Sequence, residues 1–170
     1  MTTFLEDSFA HHVWATDRIL DACSALTAEQ ITTPVPGTYG PIIATLRHLG
    51  SSDAWYLSFF RADGIAPISE EEVSLDLGAL RSAIVVNGAL WMDVLAGNLD
   101  ADKDIVEHGD GWDFHAPTGL RLAQVIQHGN DHRSQVCTAL TSFGLTPPEI
   151  DLWAYGEATG RTSADDLRAT

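Results

Sequence analysis

Gln127-His128-Gly129-Asn130-Asp131-His132-Arg133-Ser134-Gln135 lies inside a long amphipathic segment, Leu120 to Phe143, and reading that segment decides the fold. Thr118 can cap its start, Gly144 can take the left-handed residue past its last turn, and Pro147-Pro148 forbids continuation. His128 and His132 are four positions apart, an advance of about 400° on a helix, so their imidazoles stack on nearly one face. This is the spacing by which a helix offers two nitrogens to one metal ion. Alternating steps of three and four run through Val125, His128, His132, Gln135 and Ala139, beside a stripe of Leu122, Ile126, Gly129, Arg133, Val136 and Leu140. The histidines therefore border the apolar stripe. Two hydrogen-bonded core histidines would fit the same pattern, and a third ligand from elsewhere is what separates the readings.

The composition bounds the class. Hydrophobic residues make up 45% of the 170 positions and charged residues 19%, which suits one folded domain with a sizeable core. Acidic residues outnumber basic ones 24 to 9, a net charge of −15, and Lys103 is the only lysine. That balance repels phosphate backbones and argues against nucleic-acid binding. No stretch approaches the roughly 20 apolar residues that span a bilayer, and Glu6 and Asp7 do not suit a signal peptide. The expectation is a cytoplasmic protein with no membrane partner. Cys23 and Cys137 make no metal-type pair and read as small apolar residues, with a reactive thiol or a disulfide as the minority reading.

Three further segments carry helical periodicity. Phe4 to Leu26 has the seam Leu5, Phe9, His12, Thr16, Ile19, Cys23, with two adjacent polar steps in its middle. Pro41 to Arg61 has the seam Ile42, Leu46, Leu49, Asp53, Tyr56, with His48 beside it at mid-helix and Asp53 as its one carboxylate. Leu75 to Leu99 is weakened by Gly78, Gly88 and Ile84-Val85-Val86 but keeps an apolar face. Ala28 to Gly40 reads as a connection, and Glu70-Glu71-Glu72 as a solvated loop or the start of a helix. Asp104 to Glu107 and Trp112 to His115 flank a Gly-Asp-Gly turn and predict a short hairpin. The fold expected is an all-α four-helix bundle with long connections and at least one crossover. A single domain would cover residues 1–156, with a loose tail over 157–170.

Packed helices bring facing side chains close enough for three imidazoles at one level to share an ion, which makes His48 the third ligand candidate. Three neutral nitrogens leave a coordination position open, the pattern of a catalytic rather than a structural site. Imidazole suits Zn(II), Ni(II) and Fe(II) alike.

The chain resembles the DinB/YfiT-like metal-binding four-helix bundles over roughly Phe9 to Asp151. Trp14-Ala15 and Arg18-Ile19-Leu20-Asp21-Ala22 are similar to the opening helix of that family. Gly37-Thr38-Tyr39-Gly40, Ala44-Thr45-Leu46-Arg47-His48-Leu49 and Trp55-Tyr56-Leu57 resemble its second-helix region. His128-x-x-x-His132-Arg133-x-Gln135, then Phe143-Gly144-x-x-Pro147-Pro148-x-x-Asp151, resembles its last helix and exit. The chain departs from the family at Asp131, where many members have another histidine, at Ser134, often glycine, and at His11, usually aromatic.

The resemblance implies a divalent metal at His48, His128 and His132. Characterised members include thiol transferases that use bacillithiol or mycothiol, and a mycothiol-dependent maleylpyruvate isomerase. The expectation is a metal-dependent enzyme of the thiol S-transferase type, with a low-molecular-weight thiol as a further cofactor. The open metal position would activate that thiol, or water in a hydrolase. Asp53, His12 and Gln135 are the candidate proton carriers or orienting groups, and a cavity lined by Trp14, Trp55 and His12 would favour an enzyme. The alternative is a non-catalytic metal- or ligand-binding, stress-related bundle protein, paired through helix faces into a homodimer.

Overall fold

The computed structural model describes residues 3–61, 68–70 and 76–164. Six helices and one hairpin occupy these residues, in the order α1 (Phe4–Cys23), α2 (Ala28–Thr32), α3 (Ile42–Ser58), α4 (Leu77–Leu95), β1 (Asp104–Gly109), β2 (Trp112–Pro117), α5 (Thr118–Ser142) and α6 (Leu152–Ala158). The chain is mostly helical, broadly all-α. Parts of the acidic stretch and the end of the tail, residues 71–75 and 165–170, lie outside the described residues.

Local chemistry sets the helix ends. Thr3 and Glu6 close a capping box on α1, and Asp76 and Asp151 accept from backbone N–H groups to start α4 and α6. Gly144 ends α5 at φ 75, and Leu145 N–H returns to the Leu140 carbonyl. Thr118 does not cap α5. It is the first helical residue, and its hydroxyl donates to the Lys103 carbonyl instead. Two short helices interrupt stretches read as irregular: α2, started by a Thr27–Gln30 capping box, and α6. Beyond α6, Arg161 pairs with Asp7 of α1 at 2.5 Å. The hairpin pairs Asp104 with Pro117 through to Gly109 with Trp112, turning at Gly111, whose φ of 78 suits glycine.

The four long helices pack in a ring, α1 on α4 and α5, and α3 on the same two. The first two long helices, α1 and α3, thus sit on a diagonal. On length and composition α4 is apolar enough to span a bilayer, contrary to the reading of the sequence, although Arg81 ties it to Asp17 and Asp21 of α1.

The core has two apolar clusters. One gathers Ile19, Leu46, Leu80, Ile84, Val136 and Leu140; the other gathers Phe9, Leu57, Trp91, Leu122 and Val125. Along each long helix a polar residue separates the two: His12 and Thr16 on α1, Asp53 on α3, Asn87 on α4, Arg133 on α5, all buried. Arg133 is only 1% exposed. Its Nη1 donates to His12 Nδ1 at 3.1 Å, to the His12 carbonyl at 3.2 Å and to Thr16 Oγ1 at 3.0 Å, and its Nη2 donates to Asn130 Oδ1 at 2.6 Å. A guanidinium only donates, so His12 Nδ1 accepts and the Nε2–H faces Asp53 Oδ1 at 3.5 Å. Trp91 Nε1 donates to the same oxygen at 2.8 Å. Burial pushes the Arg133 pKa down to about 10 against the pull of Asp53, so the guanidinium stays charged at neutral pH.

Removing that cation leaves the Asp53 carboxylate buried without its counter-charge. Arg133→Met is expected to cost about 3–5 kcal/mol of unfolding free energy. The double variant Arg133→Met/Asp53→Leu should recover part of the loss. Urea unfolding of the parent and both variants checks this, and a double variant less stable than the single would contradict it.

Candidate metal centre

His48 comes from α3 and His128 and His132 from successive turns of α5, and packing of those helices brings the three rings together. Ring centroids lie 5.0 Å apart for His48 and His128, 4.6 Å for His48 and His132, and 4.4 Å for His128 and His132. One nitrogen from each lies within 4.8 Å of the others. The Nε2 atoms of His48 and His128 are 3.1 Å apart, and two nitrogens on one tetrahedral ion, about 2.0–2.1 Å from it, stand about 3.4 Å apart. The donor set thus fits a divalent ion.

Two groups unforeseen in the sequence orient His48. Glu70 Oε1 lies 2.8 Å from His48 Nδ1, and a carboxylate only accepts, so Nδ1 carries the proton and Nε2 presents a lone pair. Tyr39 stacks on a face of the His48 ring at 4.3 Å and 16°, and its hydroxyl donates to Glu70 Oε2 at 3.1 Å. The Tyr39 N–H in turn donates to Gln135 Oε1 at 2.8 Å. Glu70 stood hidden in an acidic run that reads as solvated. Tyr39 stood in a turn; the signal that could have found it is an aromatic between glycines near a candidate ligand.

Burial disfavours the charged forms of His128 and His132. Burial, then repulsion from His132 and His48, brings the His128 pKa down to about 4. Burial and then the His48 charge lower that of His132, opposed by Gln135, Asp131 and Glu70. His132 Nδ1 is buried with no hydrogen-bond partner, the state of a nitrogen that a cation would satisfy.

The other candidates lie around this group. Gln135 borders it through Tyr39. His12 and Asp53 belong to the buried layer below; an added Cβ on Gly129 would meet the His12 ring at 2.5 Å, which shows how closely that ring packs under the turn carrying His128. Among the described residues Trp14 and Trp55 line separate cavities. Trp14 packs against His11 and Tyr155, while His11 Nε2 meets the Ile150 carbonyl at 2.7 Å and holds the exit of α5 to α1. Asp131 is exposed and accepts from Gln127.

The profile of the DinB family matches residues 1–166. The chain belongs to the DinB family. No curated protein matches it. Membership in this DinB family and the three-histidine group together support metal binding.

In metal-free protein the unfolded chain takes up protons near the ordinary histidine pKa, about 6.5, that folded His128 refuses until about 4, with His132 shifted in the same direction. The two histidines therefore leave stability unaffected above pH 6.5 and lower it as the pH falls toward 4. Urea unfolding at pH 7.0 and 5.0 should show a larger loss in the parent than in His128→Asn/His132→Asn. Equal losses would contradict it.

Proposed function

We propose that this protein is a metal-dependent enzyme of the thiol S-transferase type, built on the ring of long helices read as a four-helix bundle. His48, His128 and His132 hold the divalent ion, with Zn(II), Ni(II) and Fe(II) all suited to three imidazoles. The observation that carries the reading is that three imidazole nitrogens converge with no fourth His, Cys, Asp or Glu ligand grouped with them among the described residues. Three protein ligands mark a site that takes an exogenous one. When bound, such an ion offers an open position that lowers the pKa of a thiol or of water.

The chain's own residues supply orientation. Glu70 holds the His48 ring and its tautomer, Tyr39 covers that ring, and Gln135 fixes Tyr39 through its backbone N–H. His12 and Asp53 act through Arg133 by holding α5 in place, and we assign them positioning roles. In the transfer the thiol sulfur forms a bond to an electrophilic carbon, the leaving group departs with its electron pair, and the thiol proton goes to solvent. The substrate is a small molecule and the compartment the cytoplasm. The net charge of −15 disfavours nucleic acid and favours cations at the site.

Plasma mass spectrometry on tag-free protein should find near-stoichiometric metal in the parent and none in a folded His128→Ala/His132→Ala variant. Loaded parent should then transfer bacillithiol or mycothiol to an alkyl chloride. Metal without thiol transfer or hydrolysis would favour the non-catalytic binding protein, and no uptake of any of the three ions would remove the mechanism. Removing a carboxylate that orients a ligand histidine costs about 10–100-fold in metal affinity. Glu70→Gln should therefore weaken metal binding by that factor while circular dichroism stays unchanged, as a competition titration against a chelating dye would read.

A further inference from the structure

A cavity of about 260 Å³ lies between α3, the hairpin and the start of α5, and the metal centre does not use it. Trp55 and Tyr56 wall it on one side, Phe114 and Ala116 on another, and Leu120 and Gln124 on the third. Trp55, Phe114 and Leu120 remain 44%, 52% and 61% exposed. Single exposed apolar side chains are ordinary; three large ones around one concavity are the lining of a ligand site. The volume falls just below the range of drug-sized pockets, about 300–1,000 Å³, and suits one ring with a short substituent.

Charge narrows the class of occupant. Glu107 and Arg121 also reach the cavity, with Arg121 Nη1 3.9 Å from the Glu107 carboxylate. Arg121 is committed elsewhere. Its Nη2 donates to the Ile105 carbonyl at 3.1 Å, and its guanidinium lies 4.3 Å over the Phe59 ring. That arginine holds the hairpin to α5 and is itself only 5% exposed, and its charge offsets Glu107, the one carboxylate of the lining that could attract a cation. The lining is electrically balanced and mostly apolar.

Position ties the cavity to the histidines. The Tyr56 ring stands edge-on to His128 at 5.8 Å, and Gln124 precedes His128 by one turn of α5. The cavity and the metal centre share the wall made by Tyr56.

We propose that this cavity binds the uncharged apolar body, aromatic or short alkyl, of the small molecule on which the protein acts. That this molecule is one the protein acts on rests on the function proposed above; the binding site itself does not.

The test uses three isosteric probes, 4-methylbenzyl alcohol, 4-methylbenzoate and 4-methylbenzylamine, titrated by ligand-observed NMR into metal-free and Zn(II)-loaded protein. The neutral alcohol should bind at least about tenfold more tightly than either charged isostere, because an unpaired charge is costly to desolvate. Ala116→Leu, which fills the cavity, and Phe114→Ala, which strips a wall, should each weaken alcohol binding about tenfold with Zn(II) uptake unchanged. Val86→Ser, on the exposed face of α4, should change nothing. In Co(II)-loaded protein the bound alcohol's protons should broaden relative to the Zn(II) form, which places it beside the centre. Equal binding of the three probes, no binding, or indifference to both cavity variants would overturn the proposal. Thiol transfer with an unchanged KM in Ala116→Leu would sink the cavity as a substrate site and leave the transferase standing. Alcohol binding that the filling variant abolishes, with no thiol transfer, would do the reverse.

Discussion

The buried guanidinium of Arg133 constrains the rest of this structure. A cation stripped of water is tolerated only where acceptors and a counter-charge surround it, and here each long helix supplies part of the solution. α1 contributes His12 and Thr16, α5 itself contributes Asn130, α3 contributes Asp53 beyond His12, and α4 contributes the Trp91 N–H that fixes Asp53. The network joins all four long helices at one level. Above and below it the apolar clusters are interchangeable in kind, since any well-filled set of aliphatic side chains would exclude water equally well. The polar layer is not interchangeable, because the Arg133 and Trp91 donors depend on acceptors that neighbouring helices supply.

The metal centre inherits its geometry from that layer. His132 precedes Arg133 directly, and Gly129, between His128 and Arg133, is where the His12 ring lies against the helix. Fixing Arg133 fixes the rotation of α5 about its axis, and with it the direction in which both histidines project. His48 is held by a separate device, the Glu70 carboxylate and the Tyr39 ring. The two devices meet at Gln135, which lies two residues beyond Arg133 and accepts from the Tyr39 backbone. In a chain with net charge −15 a cation entering the site meets an attractive field, and burial holds His128 and His132 against taking up the protons that it would have to displace.

Much of this was legible in the residues. The long helices show because their apolar positions recur with a period near 3.6 over more than four turns, and the hairpin because Gly109-Asp110-Gly111 interrupts two short runs. His128 and His132 stand out by spacing alone, and His48 by its mid-helix place beside a seam. α2 and α6 escaped because five and seven residues are too short for a periodicity to develop; only their caps, Thr27 with Gln30 and Asp151, announce them. Glu70 escaped for another reason. One glutamate in a run of three carries no local mark of which will turn inward, and the contact with His48 spans 22 positions. Non-local pairing of that kind leaves no trace in a single sequence.

The two polar steps in the α1 seam and the carboxylate in the α3 seam invite a catalytic reading, and the geometry offers a more economical one. A helix can slide or rotate against a uniformly apolar neighbour at little cost, since one aliphatic contact replaces another. A rotation of α5 by one residue, about 100°, would drive the Arg133 charge into an aliphatic cluster and leave Asp53 without its partner. The same rotation would carry His128 and His132 out of reach of His48. The residue that penalises the wrong packing of the helices is therefore the one that penalises the wrong arrangement of the ligands, and His12 and Asp53 are where that penalty is transmitted to α1 and α3.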